Sequence, residues 1–281
     1  MQRATVNGVE LEYEVAGSGE PVLLISSMVA DEFLPFLSAP SLIERRNLIA
    51  YHKRGWVGST QTAPPVRIAD HVADAAALLE HLHVRRAHVA GHSSGAAVAL
   101  QLALDRPDLV HTLILLEPSL LSVPSAQALL ERAAPAFEAY GAGNREGAVV
   151  EFLSVVSGLE SRMCRAVIDE HVPGGIAQAV QDADTFFGAE LPALAAWKFD
   201  TDEAATISQA ALSVRGTDTG RLWVDVAELL RSRLPHVDEL LIEGVGHLLH
   251  MQRPEPVVRG VAAFLDRHPM PAARRLAPLP A

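Results

Sequence analysis

Hydrophobic and polar positions divide this chain into short apolar runs and longer stretches with helical spacing. An Asn-Gly pair at 7–8 precedes a segment in which apolar and polar residues alternate, which predicts a β-hairpin with one face in water. Short unbroken apolar runs predict strands buried on both faces, and a repeat of three to four residues predicts a helix. The predicted strands lie at 21–25, 48–51, 87–90, 113–116, 211–215 and 239–242, and the predicted helices at 68–82, directly after residue 93 and at 256–267.

The alternation of strands and helices predicts an α/β fold, with a mostly parallel sheet that has helices on both faces. Residues 121–205 break this alternation, because they are helix-prone throughout and interrupted by Pro and Gly. We interpret them as a helical cap inserted into a core formed by residues 1–120 and 206–281. The end of the chain, 269–281, is rich in Pro, Ala and Arg and is expected to be a flexible tail.

The composition narrows the class of protein. With 281 residues, 49% of them hydrophobic, the chain can bury a sizeable core, and its formal net charge of −11 argues against nucleic acid or an anionic membrane as a partner. A single cysteine, Cys164, excludes an intramolecular disulfide. The sequence has neither a signal-peptide pattern nor an apolar run of the ~18 residues that a membrane span needs. We therefore expect a cytoplasmic protein; nothing in the sequence indicates its oligomeric state.

The pentapeptide Gly91-His92-Ser93-Ser94-Gly95 lies between a predicted buried strand and a predicted Ala-rich helix. A G-x-S-x-G at such a junction places the central serine on a sharp turn at a helix N-terminus, where a hydroxyl projects and unpaired N–H groups favour negative charge. This context predicts that Ser93 is a nucleophile. The alternative interpretation is a turn of small residues that only lets a helix pack tightly on a strand.

Three stretches together resemble the α/β-hydrolase superfamily, in particular its single-chain serine hydrolases with a helical cap. They are the pentapeptide around Ser93, the run Tyr-His-Lys-Arg-Gly-Trp-Val-Gly-Ser at 51–59, and Gly244-Val245-Gly246-His247 followed by Arg-Pro-Glu at 253–255. The resemblance covers nearly the whole chain. It implies a Ser–acid–His triad in that chain order.

His247 is the best candidate for the base that a serine nucleophile requires. It follows a predicted buried strand and lies in a Gly-rich loop, and the resemblance points to the same residue. His250, three residues later, is a competing choice. His92 lies inside the turn, where the residue before the serine supports the turn or lines the pocket. The other histidines, including His81 and His83, are expected to be surface or packing residues, and two histidines at that spacing make a poor metal site.

Two carboxylates compete for the role of the acid that orients the base. Asp218 follows a buried strand well ahead of His247, where the family most often carries its acid, and it is the preferred choice. Glu117 ends the strand after the nucleophile helix, a position that some family members use instead. Asp218 is otherwise an ordinary turn residue in an Asp-Thr-Gly sequence, and Glu117 a strand-end residue next to a proline.

The expected oxyanion hole needs two N–H groups aimed at one point. One is expected from Ser94, directly after the nucleophile. The resemblance places the other in the loop after residues 21–25, where the family typically has His-Gly before the donor; here that pair is Ser26-Ser27, and the donor is Met28. Serine is more restricted than glycine at such a turn, so the departure puts the geometry of the hole, and the reaction, in question.

The expected function is hydrolysis of a small apolar ester, or a related acyl bond, through a Ser93 acyl-enzyme, with no metal or organic cofactor. The alternatives are lyase, carbon–carbon bond hydrolase, perhydrolase or secondary-metabolite tailoring chemistry on the same fold, and a non-catalytic protein that binds a small molecule. Half of the aromatic side chains fall in the predicted cap, where they either pack on one another or form an apolar roof over Ser93. They are Phe137, Tyr140, Phe152, Phe186, Phe187, Trp197 and Phe199.

Overall fold

A computed structural model describes residues 1–199 and 201–271 of the chain. Most of the predicted tail, residues 272–281, lies outside the described residues. In the part of it that is described, the N–H of Met270 donates to Glu20, the first residue of a strand, at 2.7 Å.

The described residues form one eight-stranded sheet, in the order β1-β2-β4-β3-β5-β6-β7-β8. The first two strands pair as an antiparallel hairpin and β2 runs antiparallel to β4, whereas all the remaining neighbours are parallel. The predicted α/β fold with a mostly parallel sheet is therefore confirmed. The strands are β1 Gln2–Val6, β2 Val9–Gly17, β3 Glu20–Ile25, β4 Arg46–Tyr51, β5 Ala87–His92, β6 Val110–Leu116, β7 Ala210–Gly216 and β8 Val237–Ile242.

Helices cover both faces of this sheet. The predicted helix at 68–82 is α3, the Ala-rich run after Ser93 is α4, and the helix predicted from residue 256 is α15, which begins two residues earlier. The described helices outside the β6–β7 connection are α1 Leu34–Leu37, α2 Pro40–Ile43, α3 Ile68–His81, α4 Ser94–Asp105, α13 Arg221–Arg233, α14 Leu249–Gln252 and α15 Pro254–Arg267.

The β6–β7 connection is helical almost throughout. Pro192 is the second residue of the helix Leu191–Ala196, where its missing N–H removes one possible helical hydrogen bond. A π-helical turn, Phe186–Glu190, directly precedes this helix. The elements are α5 Ser125–Arg132, α6 Ala134–Gly141, α7 Arg145–Ser157, α8 Ser161–His171, α9 Gly175–Gln181, α10 Ala183–Thr185, the π turn Phe186–Glu190, α11 Leu191–Ala196 and α12 Thr201–Ala204. In the described ranges, no helix is both long and apolar enough to cross a bilayer.

The alternating side chains of the central strands enter two hydrophobic clusters. Leu23 and Ile25 of β3 belong to the cluster that includes α4, and Val22 and Leu24 to the one that includes α15. The stretch 22–25 of β3 is therefore apolar on both faces, as predicted. The strand before His247 is the exception: β8 is the last strand of the sheet and Leu241 is 51% exposed, so the expectation of a buried strand there is wrong.

Candidate active site

Ser93 occupies a sharp turn between β5 and α4. Its φ of 54° and ψ of −117° lie in a region that residues with a Cβ rarely adopt. The neighbouring strand holds this backbone in place, because the N–H of Ser93 donates to the carbonyl of Leu116 at 3.0 Å and its own carbonyl accepts from the N–H of Ser119 at 3.1 Å. The hydroxyl of Ser93 is hydrogen-bonded to Ser119 Oγ at 2.9 Å. The turn has the strained strand-to-helix form typical of a nucleophile elbow.

The two glycines of the pentapeptide allow close backbone contacts. A Cβ on Gly95 would lie 2.1 Å from the carbonyl oxygen of Ile25, and a Cβ on Gly91 would lie 2.5 Å from that of Gly95. Tight packing of α4 on β3 therefore requires these glycines whether or not the serine reacts. What distinguishes the functional interpretation is the position of Ser93, which lines the same cavity as His247.

His247 is buried and hydrogen-bonded to a carboxylate. Its Nδ1 lies 2.8 Å from Glu117 Oε2, and the indole of Trp223 stacks on its ring with centroids 4.0 Å apart. Because a carboxylate only accepts, Nδ1 carries the hydrogen of this bond and Nε2 is left to accept a proton. His250, the competing histidine, is fully buried, and neither of its ring nitrogens has a hydrogen-bond partner in the described part of the chain.

Glu117 is fixed from two sides. It directly follows β6 with a φ of 41°, unusual for a residue with a side chain, and it is 2% exposed. Its Oε1 accepts from the N–H of Gly216 at 2.9 Å, and its Oε2 accepts from the hydroxyl of Thr219 at 2.8 Å as well as from His247. The carboxylate is thus oriented by β7 and the loop that follows it.

Asp218, the preferred candidate for the acid, does not lie beside His247 in the structure. Asp218 is exposed, its carboxylate accepts from the adjacent Thr217 hydroxyl at 3.0 Å, and its N–H donates to the carbonyl of Val245 at 3.0 Å. The turn after β7 directs this side chain to solvent, while Thr219 of the same turn contacts Glu117. The alternative acid, Glu117, occupies the place beside His247.

The environment of His247 favours its neutral form. Burial lowers its pKa to about 4, the nearby His92 adds to this effect, and the hydrogen bond and charge of Glu117 oppose it. A neutral imidazole at physiological pH can accept a proton, as a general base must.

A buried group of Glu32, His92 and His250 lies next to His247. One donor atom from each lies within 4.8 Å of the others, and among the described residues this is the group that most resembles a metal-ligand set. However, His92 Nδ1 and Glu32 Oε2 are only 3.0 Å apart, the length of a direct hydrogen bond, and Ser27 Oγ is 2.9 Å from the same oxygen. The residues present therefore fit a hydrogen-bonded ion pair and do not fit a metal ion.

A second buried ion pair joins the helical connection to the sheet at the cavity. Lys53, in the loop after β4, lies 2.7 and 2.6 Å from the two carboxylate oxygens of Glu190, which ends the π turn; the two side chains are 1% and 2% exposed. The same carboxylate accepts from the indole N–H of Trp56 at 3.0 Å and from the hydroxyl of Ser94. Glu190 therefore connects the helical connection to the residue after Ser93.

Met28 and Ser94, the expected oxyanion donors, both line this cavity. The Ser26-Ser27 pair before Met28 is held by a side chain that the sequence did not indicate. The N–H of Ser27 donates to Glu32 Oε1 at 2.7 Å and its hydroxyl to Glu32 Oε2. The available signal was an acidic residue beside the apolar run that starts at residue 33. Glu190 gave a similar signal, as the one charge in the apolar stretch 186–197.

The cavity around Ser93 is small, with a volume of about 40 Å³. Of the seven aromatics in the helical connection, Phe152 and Phe186 line it. The other aromatic side chains of this connection pack mainly on one another or on elements of the core. Trp197, for example, donates from its indole N–H to Gln101 of α4 at 2.7 Å. Aliphatic side chains complete the wall: Leu121, Leu129, Leu130, Leu153, Val156, Leu191, Leu194 and Leu248.

The chain is similar to known proteins in sequence and in fold. The family model of the alpha/beta hydrolase fold matches residues 21–254. The chain therefore belongs to the α/β-hydrolase family, and the general expectation of a hydrolase is confirmed with it.

The individual relatives are distant but similar over their full length. A Caulobacter vibrioides protein that carries the name carbamate hydrolase RutD is 26% identical over 276 residues, which cover 95% of this chain and 99% of the relative. A thermophilic esterase from Thermogutta terrifontis has a TM-score of 0.80 at 22% identity, covering 96% of this chain and 100% of the esterase. An enol-lactonase from Burkholderia xenovorans has a TM-score of 0.73 at 20% identity, covering 94% and 100%. At these identities the structural likeness shows the fold alone.

Proposed function

We propose that this protein is a serine hydrolase in which Ser93 is the nucleophile, His247 the general base and Glu117 the acid that orients the base. The observation that carries the proposal is the 2.8 Å hydrogen bond between His247 Nδ1 and Glu117, in the cavity that Ser93 also lines. This bond fixes the tautomer of His247 that has an unprotonated Nε2. A protein that only binds a small molecule has no need of this combination.

The proposed reaction begins with attack of Ser93 Oγ on a carbonyl carbon while its proton passes to His247 Nε2. Ser93 Oγ also lies 2.9 Å from Ser119 Oγ, and it can accept a hydrogen bond from that hydroxyl while its own proton passes to His247. The tetrahedral intermediate then breaks its bond to the leaving group, which takes the proton from His247. Water adds to the acyl-enzyme by the same route, with His247 again accepting and returning one proton.

Met28 and Ser94 supply the proposed oxyanion hole through their backbone N–H groups. The N–H of Ser27 is already bonded to Glu32, which supports the next amide, that of Met28, as the donor from this loop. Ser94 is the first residue of α4, where N–H groups are unpaired within the helix and the helix dipole favours negative charge. The Ser26-Ser27 departure is thus compatible with a formed hole, because the Glu32 carboxylate holds the loop.

The proposed substrate is a small apolar ester or a related acyl compound. The cavity walls are aliphatic and aromatic, and the polar side chains gather around Ser93. The names of the relatives describe hydrolysis of a carbamate, an ester and an enol-lactone, which supports the cleavage of an acyl bond without selecting one. We further propose that residues 121–205 act as the cap, because Phe152, Phe186 and most of the aliphatic wall come from this segment.

Labelling with a fluorophosphonate tests the serine mechanism without knowledge of the substrate. The reagent is expected to form one covalent adduct, and mass spectrometry is expected to locate it on the peptide that contains Ser93. Ser93→Ala should abolish labelling, whereas Ser59→Ala, at a buried serine that bonds the carbonyl of His52, should retain it if folded. An adduct at another residue, or hydrolysis of esters by unlabelled protein, would exclude Ser93 as the nucleophile.

A further inference from the structure

A buried chain of hydrogen bonds links the two loops that flank Ser93. Glu32, in the loop after β3, binds both the N–H and the hydroxyl of Ser27, at 2.7 and 2.9 Å. The same carboxylate lies 3.0 Å from Nδ1 of His92, and Nε2 of His92 lies 3.0 Å from the carbonyl oxygen of His247. Glu32 is fully buried and His92 is 1% exposed. The chain thus runs from the loop of Met28 to the backbone of the candidate base.

The hydrogen-bonding partners of His92 are all satisfied when its ring carries two hydrogens. A carbonyl oxygen only accepts, so Nε2 carries the hydrogen of its bond to His247. A neutral Nδ1 would then place an unprotonated nitrogen 3.0 Å from an oxygen of an ionised carboxylate, which is a repulsive contact. A buried carboxylate without a cation is also strongly unfavourable. The contacts therefore fit an imidazolium paired with the carboxylate of Glu32.

We propose that Glu32 and His92 are positioning residues of the hydrolase: their ion pair holds the His247 loop and the Met28 loop at a fixed separation on either side of Ser93. This inference depends on the proposed roles of Ser93 and His247. It also accounts for Ser27, which stands where the family typically has Gly, because Ser27 provides the hydroxyl and the N–H by which Glu32 fixes that loop.

The ion pair also places a positive charge beside the candidate base. The rings of His92 and His247 have centroids 4.6 Å apart. Burial opposes a charged His92, but the charge and hydrogen bond of Glu32 raise its pKa above the usual value, whereas burial and the charge on His92 lower the pKa of His247. The titratable groups that face His92 from the neighbouring elements are Glu32, Glu117, His247 and His250.

His92→Gln tests this role through the pH dependence of fluorophosphonate labelling at Ser93. His247 must be neutral to accept a proton, so labelling of the wild type should fall only as the pH drops toward about 4, the pKa of His247. Without the neighbouring cation this limb should move upward by about one to two pH units. Labelling at its optimum pH should also slow by about tenfold or more, because the base is less well placed.

The matched control is His88→Gln on the same strand. His88 is fully buried and bonds Thr112 Oγ1 at 2.7 Å, so the substitution disturbs a buried histidine of β5 away from Ser93. It should leave the acid limb unchanged. Glu32→Gln, which keeps the shape of the side chain, should shift the limb in the same direction as His92→Gln but less, because the loss of the Glu32 charge lowers the pKa of His247 while neutralisation of His92 raises it.

The possible results separate the two proposals. A wild type that is not labelled at Ser93 overturns the triad and this role together. Normal labelling of the wild type with an unchanged acid limb in both His92→Gln and Glu32→Gln overturns the positioning role alone. If neither variant folds, histidine side-chain NMR of the wild type at pH 7 decides the matter: the inference requires hydrogens on both ring nitrogens of His92, and a neutral ring overturns it.

Discussion

Replacing Lys53 by methionine should destabilise the fold far more than the loss of a surface charge. The ammonium of Lys53 contacts both carboxylate oxygens of Glu190, and neither side chain is more than 2% exposed. In Lys53→Met, Glu190 keeps its bonds from Trp56 and Ser94 but loses the only cation in contact with it in the described structure. The perturbation leaves an uncompensated charge on a side chain that is only 2% exposed.

The expected magnitude follows from that burial. Removing one partner of a buried ion pair typically lowers the free energy of unfolding by about 3–5 kcal/mol, because the remaining charge has neither water nor its partner around it. Removing both charges lowers the free energy of unfolding much less, and in some proteins it leaves this free energy unchanged. Lys53→Met combined with Glu190→Gln should therefore recover most of the free energy of unfolding that Lys53→Met alone loses.

Equilibrium unfolding in urea, followed by tryptophan fluorescence and circular dichroism, measures these differences. The control is Arg259→Met, which removes an ion pair to Glu255 whose side chains are 68% and 86% exposed, and it should cost less than about 1 kcal/mol. A loss in Lys53→Met no greater than in the control would refute the argument, since the pair would then be solvated. A double variant as unstable as the single one would show that the two charges are not coupled.

Two further predictions concern the acid and the tight turn. Glu117→Gln should lower hydrolysis or fluorophosphonate labelling by about 10⁴-fold through loss of the correct tautomer of His247, whereas Asp218→Asn should change the rate by less than about tenfold; equal losses in both variants would contradict the assignment. Gly95→Ala should cost at least about 2 kcal/mol in urea unfolding, because the new Cβ meets the carbonyl at the end of β3 at 2.1 Å. Gly141→Ala, whose Cβ would meet nothing within 4 Å, should cost no stability.

The order of helices and strands along the chain could be predicted because the burial of each element determines its pattern of apolar and polar residues. A strand covered on both faces has an unbroken apolar run, as in 22–25 of β3 and 113–116 of β6, and a hairpin strand with one face in water alternates, as in β2. The order of strands in the sheet leaves no such trace. That β4 lies between β2 and β3 depends on which strands pair, and β8 could not be recognised as the last strand from its two leucines.

The buried charges of the site escaped prediction for a related reason. Glu32, Lys53 and Glu190 have the residue types of a solvated surface, and only their partners make burial tolerable. Those partners lie far away in the sequence: Glu32 pairs with His92, and Lys53 with Glu190. Charged residues beside apolar runs were the available signal, but the sequence alone does not say which of them find partners.

The choice between Asp218 and Glu117 shows what the order of residues in a triad does and does not determine. Both carboxylates follow parallel strands that are neighbours in the sheet, β7 and β6, so both reach the edge at which His247 lies. Chain order is satisfied by either, because both precede His247. The deciding features are local: Glu117 follows β6 at a φ of 41° and extends to the imidazole, while the turn after β7 supplies the donors that orient it, Gly216 and Thr219. The proposed reaction requires a carboxylate at one point beside His247, and the ends of two neighbouring strands lie close to that point. A sequence pattern can therefore name the two candidate carboxylates. Only the packing of the two loops after these strands selects one of them.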